Sequence, residues 1–271
     1  MGGGLMQLVA YGAQDVFLTG KPEISFFKVV YRRHTNFAME SIEQTINGTI
    51  KAGNRLTSTI SRNGDLISNV YLEVDFGKAI DTAKCCNSVG HALIEYVELE
   101  IGGQRIDKHY GEWLEILSEL TLPEEKRQGF KEMIGRRDAY IKDLSPLEST
   151  KLFIPLQFFF CRNPGLALPL IALQYHEVKL NIKLSDEVDF MKATGTLDTS
   201  FDVKLYVDYV YLDTTERRRF AQMQHEYLVE QLQHTGPSAG DEQTQRLNFN
   251  HPVKEIIWVF RKNNAEKLNF S

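Results

Sequence analysis

Cysteine is scarce in this chain: Cys85, Cys86 and Cys161 are the only three in 271 residues. Adjacent thiols pair with each other only under strain, and no Cys-x-x-Cys spacing occurs, so no disulfide framework is encoded. Reduced thiols in a protein assembled inside a cell are the expectation. No apolar run approaches the roughly 20 residues of a membrane helix. A charged stretch followed by an apolar one is missing from the N-terminus, so no secretory signal is visible. Gly2 suits myristoylation, but Met6 stands where that modification prefers Ser or Thr. Glycine-rich phosphate loops, a GxSxG elbow and an HExxH helix are all absent. The histidines, at 34, 91, 109, 176, 225, 234 and 251, show no ligand spacing. No catalytic, cofactor-binding or metal-binding residue is assigned, and the chain is not read as an enzyme. A net charge of −5 argues against a broad nucleic-acid-binding surface.

What is present is period-two alternation between turn signals, in a chain long enough for one large β-sandwich. Ile42, Ile46 and Ile50 share a face. Asn63-Gly64 is a tight-turn signal, and beyond it Val70, Leu72, Val74 and Phe76 alternate with Tyr71, Glu73 and Asp75. Val97, Leu99 and Ile101 alternate with Glu98 and Glu100. They end at Gly102-Gly103-Gln104, where a hairpin turn outweighs the hydrolytic GGQ of release factors. Trp113, Ile116, Leu117 and Leu120 have helical spacing, and Pro123-Glu124-Glu125 opens a second helix, so a helical insertion is expected. Leu156–Phe160 reads as a doubly covered strand, Arg162–Gly165 as a turn, and Pro169 as a breaker of any regular element. From Tyr175, alternation places His176, Val178, Leu180, Ile182 and Leu184 on one face, with His176 a hydrogen-bonded core histidine. Phe201, Val203, Leu205, Val207, Tyr209 and Tyr211 form the longest alternating run. Thr214-Thr215-Glu216 begins a helix or turn carrying Arg217-Arg218-Arg219 on a solvated or ion-paired face. A linker over Thr235–Glu242 precedes a last strand, Val253–Arg261, with Ile256, Trp258 and Phe260 on one face. The first 40 residues, with Phe26, Phe27, Arg32 and Arg33, read as an arm for a neighbouring subunit or an internal layer. Asn47-Gly48-Thr49 fits the N-glycosylation sequon, as does Asn269-Phe270-Ser271.

The pattern specifies an all-β antiparallel sandwich with a small helical insertion. It does not choose a jelly roll over other sandwiches. FFFCRNPGLALPLIALQYHEVKL closely resembles a hallmark segment of the major capsid proteins of large eukaryotic double-stranded DNA viruses. AYGAQDVFLTGKPEISFFKVVYRRHTNFAMESI, SRNGDLISNVYLEV, LEIGGQRIDKHYGEW, VDYVYLDTTERRRFAQMQHEYLVEQLQ and LNFNHPVKEIIWVF resemble the same family in the same order. The resemblance implies two tandem jelly rolls: an arm at 1–40, a first jelly roll from about 41 to 213, a helical connector and linker at 214–245, and the opening strand of an incomplete second jelly roll at 246–271. It further implies homotrimers of pseudo-hexagonal outline in an icosahedral virion shell, assembled in the host cytoplasm. Neighbouring capsomers and minor capsid proteins would be the partners, near an internal membrane and without direct nucleic-acid contact. Most of the second jelly roll is missing from the sequence, so the chain is expected to be a fragment, ahead of two alternatives: a second half supplied by another polypeptide, or a last strand docked on the first domain. A carbohydrate-binding jelly-roll module and a cupin-type enzyme are the competing readings, since fold alone does not fix function.

Overall fold

The computed structural model describes residues 35–77, 86–136, 151–186, 201–236, 246–260 and 268. Its strands are β1 (Phe37–Gln44), β2 (Ile46–Asn47), β3 (Arg55–Thr59), β4 (Leu66–Asp75), β5 (Ile94–Ile101), β6 (Gln104–Tyr110), β7 (Lys151–Pro155), β8 (Leu168–Pro169), β9 (Val178–Leu184) and β10 (Asp202–Leu212). One sheet runs β1-β10-β4-β7, with β8 also on β4; the other runs β2-β3-β9-β5-β6. Every pairing is antiparallel. Chain order repeatedly switches sheets, and first and last strands lie side by side, which is jelly-roll topology.

Alternation places the core. Along β10, Val203, Leu205, Val207 and Tyr209 are buried while the residues between them face out. Val70, Leu72 and Val74 of β4 stand opposite Val207, Leu205 and Val203. From the other sheet Val178, Leu180, Ile182 and Leu184 of β9 face them, with Val97 and Leu99 of β5. Each fully buried branched side chain contributes about 1.5–3 kcal/mol, enough to fix the register wherever one face is covered.

Gly102 and Gly103 have φ of 60° and 81°, and Ile101 pairs with Gln104, so a two-residue turn with both central residues left-handed closes β5–β6. The helical insertion also forms. Helix α1 (Val89–Leu93) precedes β5, and α2 (Gly111–Thr121) and α3 (Glu124–Ile134) follow β6. Gly111 is required where α1 and α2 meet, because a Cβ there would lie 2.2 Å from the His91 carbonyl oxygen. The stripe that α2 buries is Gly111, Leu114, Glu115 and Leu117; Leu120 is 62% exposed, outside the expected face. Helix α5 (Thr214–Gln222) is capped by Asp213, whose side chain accepts from the Glu216 amide at 2.9 Å.

Four expectations change. Leu156–Phe160 is not a strand. Leu156 still donates to the Val70 carbonyl, but the chain then turns into the short helix α4 (Phe159–Arg162). The run is apolar because Phe158, Phe159 and Phe160 are buried, Phe158 stacking on His109 at 4.8 Å. Asn63-Gly64 does not close a hairpin, since β3 pairs with β9 and β4 with β10, so the turn lies on a crossing between sheets. His176 is exposed, in a turn before β9 rather than on its apolar face. Residues 253–260 have no ladder partner; their apolar residues on both faces are exposed. A strand needs an edge to pair with, and none of the described strands pairs with this segment.

Candidate assembly surfaces

Antiparallel pairing puts the chain's entry at Phe37, its exit at Leu212, the β3–β4 crossing, the Gly102-Gly103 turn and the segment 156–177 at one end of the sandwich. This end is cross-braced. The Tyr209 hydroxyl donates to the Ser61 carbonyl at 2.6 Å, and Arg217 Nε lies 2.9 Å from Asp65 Oδ1. Arg62 Nη2 donates to the Leu173 carbonyl at 2.7 Å and to that of His176 at 3.1 Å, while Nη1 donates to that of Gln174. The Gly102 amide donates to the Glu177 carbonyl at 2.9 Å. Between these ties Tyr175 stands 94% exposed. Glu177 pairs with Lys179 at 2.9 Å; that hydrogen bond and charge hold the Glu177 carboxyl below the usual range.

Several polar side chains are buried inside, among them His91, Asp107, His109 and Glu115. Glu115 accepts from Ser88 Oγ at 2.9 Å, meets His91 Nδ1 at 2.6 Å and lies 3.4 Å from Arg136 Nη1. Burial pushes its carboxyl up, but His91, Ser88 and Arg136 together outweigh burial and hold it below the usual carboxylate range. His109 Nε2 lies 2.7 Å from Asp107 Oδ2, at ion-pair distance but not aligned as a hydrogen bond. Asp107 Oδ1 accepts from the Leu232 amide at 3.0 Å, and Gln231 Nε2 donates to the Ile106 carbonyl at 2.5 Å. The segment after α5 is thereby strapped beside β6, the outer strand of its sheet. Burial drives the Cys161 thiol up to about 12, which keeps it protonated and unreactive, and Cys86 is buried. Among the described residues no group of three or more His, Cys, Asp or Glu is placed to hold a metal ion. None of the described helices is long and apolar enough to cross a membrane.

Two family descriptions match this sequence: "Major capsid protein N-terminus" over residues 25–213 and "Large eukaryotic DNA virus major capsid protein" over 216–270. The chain belongs to the large eukaryotic DNA virus major capsid protein family. The major capsid protein of Pyramimonas orientalis virus is 59% identical across 96% of this chain and 65% of its own length. A quasi-atomic structure of the PBCV-1 virus capsid is 43% identical, with a TM-score of 0.71 over 84% of this chain and 57% of that one. The Faustovirus major capsid protein, 12% identical with a TM-score of 0.56 over 78% of this chain and 60% of that one, shares the fold. The chain thus spans roughly three fifths of the capsid proteins it is similar to, and the jelly roll expected from its resemblance is the fold it has.

Of the assembly residues expected in such a capsid protein, Phe26, Phe27, Arg32 and Arg33 lie outside the described residues, as does Cys85. Asn47 is exposed at the end of β2, beside the loop that Asn54 Nδ2 pins by donating to the Thr49 carbonyl at 3.0 Å. Sequence reasoning missed Tyr175, which it placed at the start of a half-buried strand, and it missed Phe37 and Met39, 66% and 54% exposed on β1. Residues 170–177 join strands of different sheets, and that crossing was the available signal.

Proposed function

We propose that this chain is a structural subunit of an icosahedral virus shell, associating as trimeric capsomers of pseudo-hexagonal outline. The observation carrying the proposal is the jelly-roll body, with strand orders β1-β10-β4-β7 and β2-β3-β9-β5-β6, in a chain matched by capsid families from residue 25 to 270. Its chemistry is association: apolar surface leaves water between subunits, while capsomers meet through more polar contacts. The virion shell is its place, with assembly in the infected cell's cytoplasm and with minor capsid proteins as further partners. The family match speaks for this reading and not for the carbohydrate-binding alternative.

Within it, Phe26, Phe27, Arg32 and Arg33 form an arm that contacts a neighbouring subunit or an internal shell component. Asn47 is a sequon open to modification wherever the glycosylating machinery reaches it. Native mass spectrometry and particle imaging of the 271-residue chain test the reading, with trimers expected. Deleting residues 1–35 should leave the sandwich folded and impair assembly; normal assembly of the truncated chain would remove the arm's role.

A further inference from the structure

Tyr175 combines nearly complete exposure with a fixed backbone. Arg62 binds three carbonyls around it, and the Leu173 and His176 amides close successive turns by donating to the Leu170 and Leu173 carbonyls at 3.1 Å. His176, the next residue, packs on the β5–β6 turn so closely that a Cβ on Gly102 would lie 2.6 Å from its Nδ1. A phenol ring carried on a braced backbone leaves less backbone freedom for association to remove. Tyrosine and arginine are the residue types that dominate binding energy at protein interfaces.

The same end of the molecule offers a complementary patch. Phe37 stands opposite Leu212 and Met39 opposite Val210, and residues directly opposite share a pleat face. Val203, Leu205, Val207 and Tyr209 face inward, so Phe37, Met39, Val210 and Leu212 face outward. A single row crosses the sheet: Met39 beside Val210, Val210 beside Leu66, Leu66 beside Pro169. Pro169 begins the segment that carries Tyr175. The exposed ring and the apolar patch therefore lie at the same end of the sandwich, and the row of paired residues starts at the edge strand β1 and ends on the far side of β4. Two different patches at one end are what a head-to-tail contact requires, and such contacts form rings where the rotation between copies closes.

We infer that Tyr175 anchors a contact between copies of this chain, seated against Phe37 and Met39 of the neighbouring copy. The inference rests on the capsomer reading and adds to it which surfaces meet. Tyr175→Ala should weaken the oligomer at least about tenfold in native mass spectrometry, while Tyr175→Phe, which keeps the ring, retains most of the affinity. Arg62→Ala, which frees the loop and spares the ring, should weaken it to a smaller extent. Since Tyr175 is exposed, the monomer's melting temperature should stay unchanged. For direct proof, a chain carrying both Gln174→Cys and Ser41→Cys, exposed positions beside the contact that leave Tyr175, Phe37 and Met39 in place, is prepared in light and nitrogen-15 forms, mixed, and cross-linked with a short bismaleimide. Peptides joining position 174 of one isotope to position 41 of the other are expected. Cross-links confined to one chain, or a wild-type oligomer that Tyr175→Ala leaves equally tight, overturn the contact and leave the capsomer reading standing. A wild-type chain that remains monomeric at every concentration overturns both.

Discussion

Leu180 stands between Ser58 of β3 and Leu99 of β5 and is fully buried, so its side chain fills the space between the sheets. Leu180→Ala should cost about 2–5 kcal/mol, the spread depending on how far the core can collapse into the cavity. Urea unfolding measures it; a cost below about 1 kcal/mol would mean that the leucine does not sit in a packed core. Glu115 raises a different residue-scale question, because its carboxylate joins α1, α2 and Arg136. A carboxyl whose folded pKa lies below its unfolded value, about 4.3, gives stability that is fully present above that unfolded value. The contribution is lost as pH falls through the lowered folded pKa. Glu115→Gln should therefore cost about 3 kcal/mol at pH 7, where it leaves the cluster without its carboxylate charge. The gap between mutant and wild type should close as pH falls below 4. A gap that stays constant across the titration would show that charge is not what Glu115 supplies.

At the scale of elements, the sequence was readable where local pattern and tertiary environment agree. Strands β9 and β10 lie inside their sheets, covered on one face, and their alternation is visible because the core demands it. The Gly102-Gly103 turn was legible for a backbone reason, since two consecutive left-handed residues favour glycine. Leu156–Phe160 was misread because an apolar run reports burial, not conformation, and three phenylalanines at the end of a sandwich are as buried as a central strand. Asn63-Gly64 misled because a turn signal does not say which strands it joins. No local pattern could reveal the strap, which depends on Asp107, Ile106, Gln231 and Leu232 meeting across more than a hundred residues. Its far end makes a test. Gln233 donates to the Asn250 carbonyl at 2.8 Å and accepts from the Asn250 amide at 2.9 Å. Gln233→Ala should speed hydrogen exchange at Asn250 while amides of β5 and β9 keep their protection. Equal loss of protection in the sheets would mean that the strap and sandwich open as one unit.

For the molecule as a whole, the contrast is between a closed sandwich and the stretch 253–260. Val253, Ile256, Ile257, Trp258, Val259 and Phe260 range from 36% to 84% exposed, while Leu268, eight residues on, is buried against the core. The stretch is tied near its start, where Lys254 pairs with Glu230, whose other oxygen lies 3.3 Å from Arg162 Nη1. Removing surface of this kind from water is favourable, and the described sandwich leaves it uncovered. Two consequences can be separated. Trp258→Ser with Phe260→Ser should lower self-association of the 271-residue chain, read by light scattering across a concentration series. The same pair should leave the melting temperature of the sandwich within about 2 °C, because side chains in water before unfolding lose no buried contact. A fall of more than about 4 °C, close to 1 kcal/mol or more for a body this size, would show that these rings pack on the sandwich. Unchanged scattering would show instead that the exposed stretch is not what brings chains together.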